Sequence, residues 1–405
     1  MKILVNAVSA KLGGAATYIR NLAGSLLDQA QAGEEFLFLV PPERMKELPA
    51  GNPRLRVLAS GAASGSHARR WWWDQVTLRG IVRRERPAVL FSSANFALLG
   101  CPCPQVLLVR IPIYFSREYL EQVLPQKPLA FRAETSVRRW LVCRSAQAAD
   151  CVVTPSAAML EDLRRFTRLD AGRAVVNSYG VPRGRVARLA SAAAAETRGP
   201  GSEPRPVRLL WVSHYADHKN LVTLLRAVEL LQKEHGSPFE LLLTLDVESQ
   251  AGQHTPMPED ERELLRRLGG VVRTLGVLDY ERTWQAYSEA DVFVFPSLCE
   301  SFGHPLVEAM AAGLPIVASD IAVHREICGD AARYFPVLSV EALAGALREL
   351  IGDPQSRRGL AARGRLQVEK FFWEDHVARL LDLLRAKAAL SHASGTAPQA
   401  AREAV

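Results

Sequence analysis

The chain has 405 residues, 48% hydrophobic and 23% charged, with a formal net charge of +7. That mix excludes a disordered or fibrous protein, and at about 150 residues per domain it predicts two or three domains. Six cysteines without a CxxC spacing exclude a disulfide scaffold. No run approaches the ~18 apolar residues of a membrane helix, and Met1-Lys2 leads into Ile3-Leu4-Val5 without a signal-peptide region. A cytoplasmic protein is therefore expected. The charge is uneven: residues 1–188 hold 27 Lys and Arg against 14 Asp and Glu, and the remainder 23 against 29. Either the first half meets something anionic, or its arginines form ordinary solvated faces.

In chain order, Lys2–Val5 is a short apolar strand, Gly13-Gly14 a turn and Ala16–Leu27 a helix. Phe36–Val40, Val89–Ser92, Val106–Val109 and Cys151–Val153 read as buried strands. Between the first two of these lie Arg69-Arg70-Trp71-Trp72-Trp73 and then Arg79, Arg83, Arg84 and Arg86. Such a segment is either a helix lying on an anionic bilayer or an ordinary helix with one Trp face buried. Nucleic acid is not expected as a partner, because no RNP, KH or helix-turn-helix pattern accompanies the basic residues. Residues 191–206 turn to Ala, Gly, Pro and Ser, which marks a linker.

The pattern then restarts. Strands at Leu209–Val212, Phe239–Leu245, Val271–Leu275, Val292–Pro296 and Ile316–Ala318 alternate with helices at Leu221–Lys233, Glu259–Leu268, Thr283–Glu289 and Pro305–Ala312. Alternating strands and helices imply parallel βα units. The fold class is α/β: two Rossmann-like domains, residues 1–190 and 207–370, with a cleft between them. A helix over 371–390 and a disordered tail over 391–405 complete the expectation.

Three stretches carry chemistry. In the densest, a strand ends at Pro296, a loop carries Glu300 and Gly303, and Pro305 suits the first turn of a helix. The free N–H groups of such a turn, with the helix dipole, attract an anion at the carboxyl edge of a parallel sheet. Glu308, expected in that first turn, can accept hydrogen bonds from a ribose diol. Two solvated surface carboxylates are the plain alternative. In the second stretch, Lys219 stands at the mouth of a helix after a strand, where an ammonium can neutralise a departing diphosphate. His214 and His218 have i, i+4 spacing, but no HExxH pattern supports a metal site. The third is the Gly13-Gly14 turn, which is not the GxGxxG of dinucleotide binding.

Residues 296–315, with Glu300 and Glu308 eight apart, resemble the Glu-x7-Glu region of the retaining family 4 glycosyltransferases, which have the GT-B fold. The likeness runs upstream through Ala290-Asp291-Val292-Phe293-Val294-Phe295 and downstream through Val317-Ala318-Ser319-Asp320 and residues 324–332. It is close over residues 208–335 and looser before them. It implies that Glu300 lies near the transferred sugar and that Glu308 holds the ribose. It also implies that Phe302, Gly303, His304, Leu306 and Val307 meet sugar and diphosphate. Lys219-Asn220 fits the family's Lys-Asn, but His214 stands where the family has Arg. A neutral imidazole donates one hydrogen bond where Arg would clamp with two. Gly13 and Gly14 match a turn bordering acceptor or phosphates. The family's first domain commonly supplies a His at the end of a strand; here Arg110 comes nearest, as an acceptor-phosphate ligand or a partner in an internal ion pair. Asn95 is a further acceptor-side candidate.

The resemblance implies a donor linked to UDP or GDP, an acceptor hydroxyl on a glycan or polyprenyl-linked molecule, and a role in cell-surface polysaccharide or glycolipid assembly. Lys219 and Glu300 are the expected catalytic residues. No metal and no cofactor are expected, since no DxD motif occurs. The last helix is expected to pack back on the first domain. The basic half and its tryptophans point to peripheral contact with the inner face of an anionic membrane. The other readings are a GT-B epimerase or phosphorylase, and a non-catalytic nucleotide-sugar-binding partner protein.

Overall fold

The computed structural model describes all residues except 11–12, 50, 62–66, 196–204, 235–237, 247–255 and 395–405. Seven strands form the first sheet: β1 (Lys2–Asn6), β2 (Glu35–Val40), β3 (Leu55–Ala59), β4 (Val89–Ser92), β5 (Gln105–Leu108), β6 (Cys151–Thr154) and β7 (Ala174–Val176). Six form the second: β8 (Val207–Trp211), β9 (Phe239–Leu243), β10 (Val272–Thr274), β11 (Val292–Phe295), β12 (Ile316–Ser319) and β13 (Ala332–Phe335). The orders are β3-β2-β1-β4-β5-β6-β7 and β10-β9-β8-β11-β12-β13. Every pair is parallel, with registers such as Val5 opposite Phe38 and Phe293 opposite Ile316.

The helices are α1 (Gly13–Asp28), α2 (His67–Gln75), α3 (Thr77–Glu85), α4 (Leu129–Ala148), α5 (Ala157–Arg164), α6 (Arg183–Ala195) and α7 (Leu221–Lys233). They continue with α8 (Glu259–Arg267), α9 (Tyr280–Glu289), α10 (His304–Ala311), α11 (Ala322–Cys328), α12 (Val340–Gly352), α13 (Pro354–Gln367) and α14 (Trp373–Ser394).

The central strands are apolar along their whole length because helices cover both sheet faces; Val292, Phe293, Val294 and Phe295 of β11 are all buried. Helix α7 shows the complementary pattern. Leu221, Leu224, Leu225, Val228 and Leu231 recur at helical spacing and are all buried. In each sheet the order reverses beside the first strand, between β1 and β4 and between β8 and β11. Ligands of open α/β sheets bind at the carboxyl ends of such strands.

The chain passes from the first sheet to the second and returns through one place. Val181 pairs with Phe372: its N–H donates to the Phe371 carbonyl (3.1 Å) and its carbonyl accepts from Trp373 (3.0 Å). A Cβ on Gly180 would collide with the Phe371 carbonyl, so only glycine allows this approach. Helix α14 then packs on α1, β4 and β5. The Trp373 indole donates to Ser25 Oγ (2.9 Å), Tyr18 Oη pairs with His376 Nε2 (3.1 Å), and Arg385 bridges Glu34 (2.8 Å).

Several boundaries differ from the sequence reading, among them that of α1, which starts at Gly13 where a Gly13-Gly14 turn was expected. Helix α6 continues to Ala195, into the stretch expected to be linker, and packs against α10. Its alanines read as loop composition but are strong helix formers. Helix α14 continues to Ser394, past the expected start of a disordered tail. The rest of both segments, 196–204 and 395–405, lies outside the described residues.

Candidate active site

Two loops leave the carboxyl ends of β8 and β11 and are tied together. Asn220, in the left-handed region at φ 53°, donates from its amide to the Pro296 carbonyl (3.1 Å) and accepts from Thr223 Oγ1 (2.7 Å). Leu298 N–H donates to the His218 carbonyl (2.7 Å). These ties set Lys219, in a short 3-10 turn over Asp217–Lys219, against Glu300. Lys219 Nζ lies 2.5 Å from Glu300 Oε1, with both side chains 11% exposed, and 5.7 Å from the centre of the Phe295 ring. Burial pushes the Glu300 carboxyl up, but Lys219, His218 and His324 together outweigh it and hold it below the usual range.

Glu300 leads into α10, whose N-terminus is shaped by Gly303 at φ 86°. His304 and Pro305 follow in the first turn. Leu306 and Val307 are fully buried and Phe302 nearly so. Of these three, expected at the donor, Phe302 lines the cavity, whereas Leu306 and Val307 do not. Glu308 stands in the second turn of α10, not the first, because the helix begins at His304. Its Oε2 accepts from Tyr287 Oη (2.9 Å), and burial raises its carboxyl to about 7.

Both carboxylates and Lys219 line one cavity of about 310 Å3 between the two sheets, with His214, Gly303, His304, Pro305 and Trp373. Pockets for small ligands are commonly this size. Across the cavity stand Thr17, Tyr18 and Asn21 of α1, and α9 adds Tyr280 and Trp284. The sequence reading missed these five residues. Helical periodicity locates α1 and α9 but does not say which turn faces a ligand. Gly13 and Gly14 are the first residues of α1, before the turn that lines the cavity.

Behind Tyr18 lies a ring cluster. Tyr179 stacks on His304 at 4.8 Å and 7° and meets Tyr18 at 5.2 Å. Arg110 sits over the Tyr18 ring at 5.4 Å. Burial, then the charge of Arg110, lower the His304 imidazole to about 4, so it is neutral at pH 7. No ion pair joins Arg110 to a carboxylate among the described residues. Asn95, in the left-handed region at φ 64°, accepts the Arg110 backbone N–H on its Oδ1 (2.8 Å). Its carbonyl thus clips the end of β5, and neither it nor Arg110 lines the cavity itself.

Four contacts join the two sides next to the site. Ser156 Oγ donates to the Ser301 carbonyl (2.7 Å), and Lys127 pairs with Asp217 (2.7 Å). The Glu326 carboxylate accepts the Ala157 and Ala158 N–H groups at the start of α5, each at 2.8 Å. Among the described residues no three His, Cys, Asp or Glu side chains converge as metal ligands, and no helix is long and apolar enough to cross a membrane.

Of the two readings of the Trp-rich segment, the ordinary helix with one Trp face buried fits the structure. In α2, Trp73 is buried, Trp71 packs edge-on against Phe96 (5.7 Å), and only Trp72 stands out. Arg70 is buried in an ion pair with Asp74 (2.8 Å), which also accepts from Asn6 (3.1 Å). The i, i+4 spacing of Arg70 and Asp74 was the signal for this pair.

Comparison with known proteins agrees with this geometry. Residues 195–367 match the family model "Glycosyl transferases group 1", and residues 12–185 match "Glycosyltransferase Family 4". Over 127 residues the chain is 41% identical to a phosphatidyl-myo-inositol mannosyltransferase of Mycolicibacterium smegmatis, covering 30% of this chain and 33% of that protein. The chain thus spans about a third of that relative's length. Sucrose-phosphate synthase from Thermosynechococcus elongatus shares the fold at TM-score 0.74 and 19% identity, over 96% of this chain and all of that one. HepE of Anabaena, solved in complex with UDP-glucose, shares it at TM-score 0.65 and 16% identity, over 97% of this chain and all of that one. With both halves matched and two Rossmann-like sheets facing across one cavity, the chain belongs to glycosyltransferase family 4 in the GT-B fold.

Proposed function

We propose that the protein transfers a sugar, with retention of anomeric configuration, from a UDP- or GDP-linked donor to a hydroxyl of a glycan or polyprenyl-linked acceptor, in cell-surface polysaccharide or glycolipid assembly. The observation that carries this is the buried Lys219–Glu300 pair beside the N-terminus of α10, with Glu308 on the same cavity. The donor's diphosphate lies between the Lys219 ammonium and the N-terminal end of α10, where the helix dipole favours an anion. Its ribose hydroxyls donate to Glu308. The sugar points toward Glu300, and His214 gives one hydrogen bond to the phosphates where the family's Arg would give two.

The acceptor oxygen bonds to the anomeric carbon as the bond from that carbon to the phosphate oxygen breaks. The acceptor's proton passes to the departing phosphate. Charge growing on that phosphate is met by Lys219 and the helix, which act where charge develops in the transition state. The acceptor lies on the side of the start of α1 at Gly13-Gly14 and of Arg110, which stands behind Tyr18. The UDP-glucose bound by the Anabaena neighbour supports the donor class, and the Mycolicibacterium relative's name supports a lipid-linked acceptor.

The test is a thermal-shift screen with nucleoside diphosphates and their sugars. A ligand at about 100 times its Kd stabilises by ~2.7 kcal/mol, and the absence of any shift overturns the donor assignment. With a donor identified, the anomeric configuration of the product read by NMR tests retention. Conversion of donor in the absence of acceptor favours an epimerase instead.

A further inference from the structure

We propose that Cys101 and Cys103 form a dithiol that exchanges reversibly with an anionic low-molecular-weight disulfide and closes to an internal bridge. The proposal goes beyond the glycosyl transfer above and does not rest on it. Both cysteines lie in the loop from β4 to β5, and that loop is pinned. The Gln105 side chain accepts the Leu98 N–H (2.8 Å) and donates to the Leu98 carbonyl (3.1 Å). Gln75 accepts the Leu99 N–H (2.9 Å) and donates to the Ala97 carbonyl (3.0 Å). Arg79 holds the carbonyl of Gly100 (3.0 Å), which turns the chain at φ 57°. The Cys101 and Cys103 Sγ atoms then stand 3.7 Å apart. A bridge needs about 2.05 Å, a gap that side-chain rotation spans without moving the pinned backbone.

These two thiols differ from the other four. Cys143, Cys151, Cys299 and Cys328 are buried, and burial pushes each thiol up. Cys101 and Cys103 are half-buried at the edge of the core. A hydrogen bond from the Cys103 thiol holds Cys101 below the usual thiol value; the Cys103 N–H and Arg79 add to it, against burial and Asp150. The thiolate is the nucleophile, so Cys101 attacks one sulfur of the small disulfide, and half of that disulfide leaves as a thiolate. Cys103 gives its proton to solvent and displaces the other half from Cys101. Two protein thiols are oxidised, and one small disulfide is reduced to two thiols. Among the described residues no third ligand joins the pair to make a metal site.

A second cavity, of about 510 Å3, identifies the class of reagent. Pro102 and Cys103 line it together with Lys2, Arg83 and Arg86. Both arginines are exposed, and among the described residues no carboxylate lines this cavity. Glu85, next to it, is engaged by Lys2 (3.4 Å) and Arg56 (3.1 Å), and Asp150 accepts the Gln105 N–H (2.7 Å). A cavity of this size beside the dithiol, walled by cations, suits a peptide disulfide with free carboxylates, such as glutathione disulfide. Neither cysteine lines the donor cavity, so closing the bridge leaves that site in place.

The test equilibrates the reduced full chain with mixtures of reduced and oxidised glutathione, quenches in acid, alkylates the unfolded protein and weighs it. The wild type should lose two of its six alkylatable thiols, with the bridge mapped to the peptide holding Cys101 and Cys103. Excess reduced glutathione should restore both. Cys103→Ser should stop at one glutathione adduct on Cys101, and Cys101→Ser should react about ten-fold more slowly. Arg83→Gln with Arg86→Gln should slow oxidation by glutathione disulfide roughly three-fold, but not oxidation by uncharged 2-hydroxyethyl disulfide. Three results overturn the proposal: a wild type that keeps six thiols in every mixture; a loss that falls on Cys143, Cys151, Cys299 or Cys328; or equal slowing of both disulfides by the arginine changes. The first two need no variant to fold.

Discussion

On the side built from β8 and β11, the polar groups at the cavity are charged and matched to each other, Lys219 with Glu300. On the facing side, Tyr18 and Trp373 pack ring against ring, and Arg110 lies over the face of Tyr18, outside the cavity lining. The first wall answers a ligand of fixed charge. Its ion pair is held in place before any ligand arrives, so little reorganisation is left to binding. The second wall is shaped by the burial of its aromatic rings, with the Arg110 guanidinium behind Tyr18. Within the charged wall the two carboxylates differ as well. Glu300 is held ionised by its cations, whereas Glu308, with only Tyr287 to hydrogen-bond it, sits at about 7. The same side chain in the same cavity takes opposite protonation behaviour from whether a cation faces it.

The sharpest way to break this contrast is Lys219→Ala. It removes the cation of the charged wall and leaves Glu300 buried and unpaired. Turnover should fall about a hundred-fold or more, and the thermal midpoint should drop as well, since losing one partner of a buried pair costs ~3–5 kcal/mol. The double variant Lys219→Ala, Glu300→Gln should recover much of the stability and none of the turnover. A single variant that turns over near the wild-type rate would remove Lys219 from the chemistry.

Glu308→Gln probes the other carboxylate. Hydrogen bonds to a charged acceptor are worth ~1.5–3 kcal/mol, so calorimetry should show nucleoside diphosphate binding about ten-fold weaker. The wild type adds a pH signature. The folded-state value, about 7, lies above the unfolded one, so protonation of Glu308 stabilises the free protein. That contribution is complete below the ordinary carboxylate range and is lost as pH rises through about 7. A ribose diol prefers the ionised form, so nucleotide affinity should rise over the same interval. The rise should vanish in Glu308→Gln.

Arg110→Gln tests the ring-lined wall. Acceptor KM should rise several-fold with donor affinity unchanged if the acceptor is anionic. His304 should titrate higher by NMR, because one of the causes holding it near 4 is gone. The smallest effect is expected for Glu326→Gln, which weakens the capping of α5 from the opposite side of the cleft. The neutral amide still accepts one hydrogen bond, so a modest rise in radius of gyration by X-ray scattering and a two- to three-fold loss in turnover are expected. A larger effect than that of Glu308→Gln would mean that closure, not charge, dominates the site.

Much of the charged wall was legible in the sequence. An apolar strand, a loop with Glu300 and Gly303, and Pro305 opening a helix have their own local signals, and Lys219 follows a strand in the same way. The other wall has no such punctuation. Thr17 and Asn21 are ordinary helix residues whose role comes from where α1 meets the second sheet. Tyr280 and Trp284 read as core aromatics. Tyr179 acquires its part only when α10 brings His304 against it. The short strands β3, β7 and β13 went unread because three to five residues of mixed burial carry too little alternation. Trp71 to Trp73 left two readings open for a related reason. Composition shows that a segment is aromatic and basic, but not that Asp74 and Phe96 take up half of it from inside.

The crossing at Val181 and Phe372 gives the molecule a mechanical character. Outgoing and returning backbones share two hydrogen bonds at a point where Gly180 leaves no room for a side chain. The second sheet thus turns on the first like a door on a pin, latched across the cleft by the Ser156, Lys127 and Glu326 contacts. Once those latches part, turning about that pin asks for small torsions in two backbone segments, while sliding along it would break the bonds at Val181. An added methyl at residue 180 would shift the pin sideways, and the far edge of the door would swing through a larger arc. A single carbon at the pivot would then move Lys219 and Glu300 out of line with Arg110, although it touches none of them.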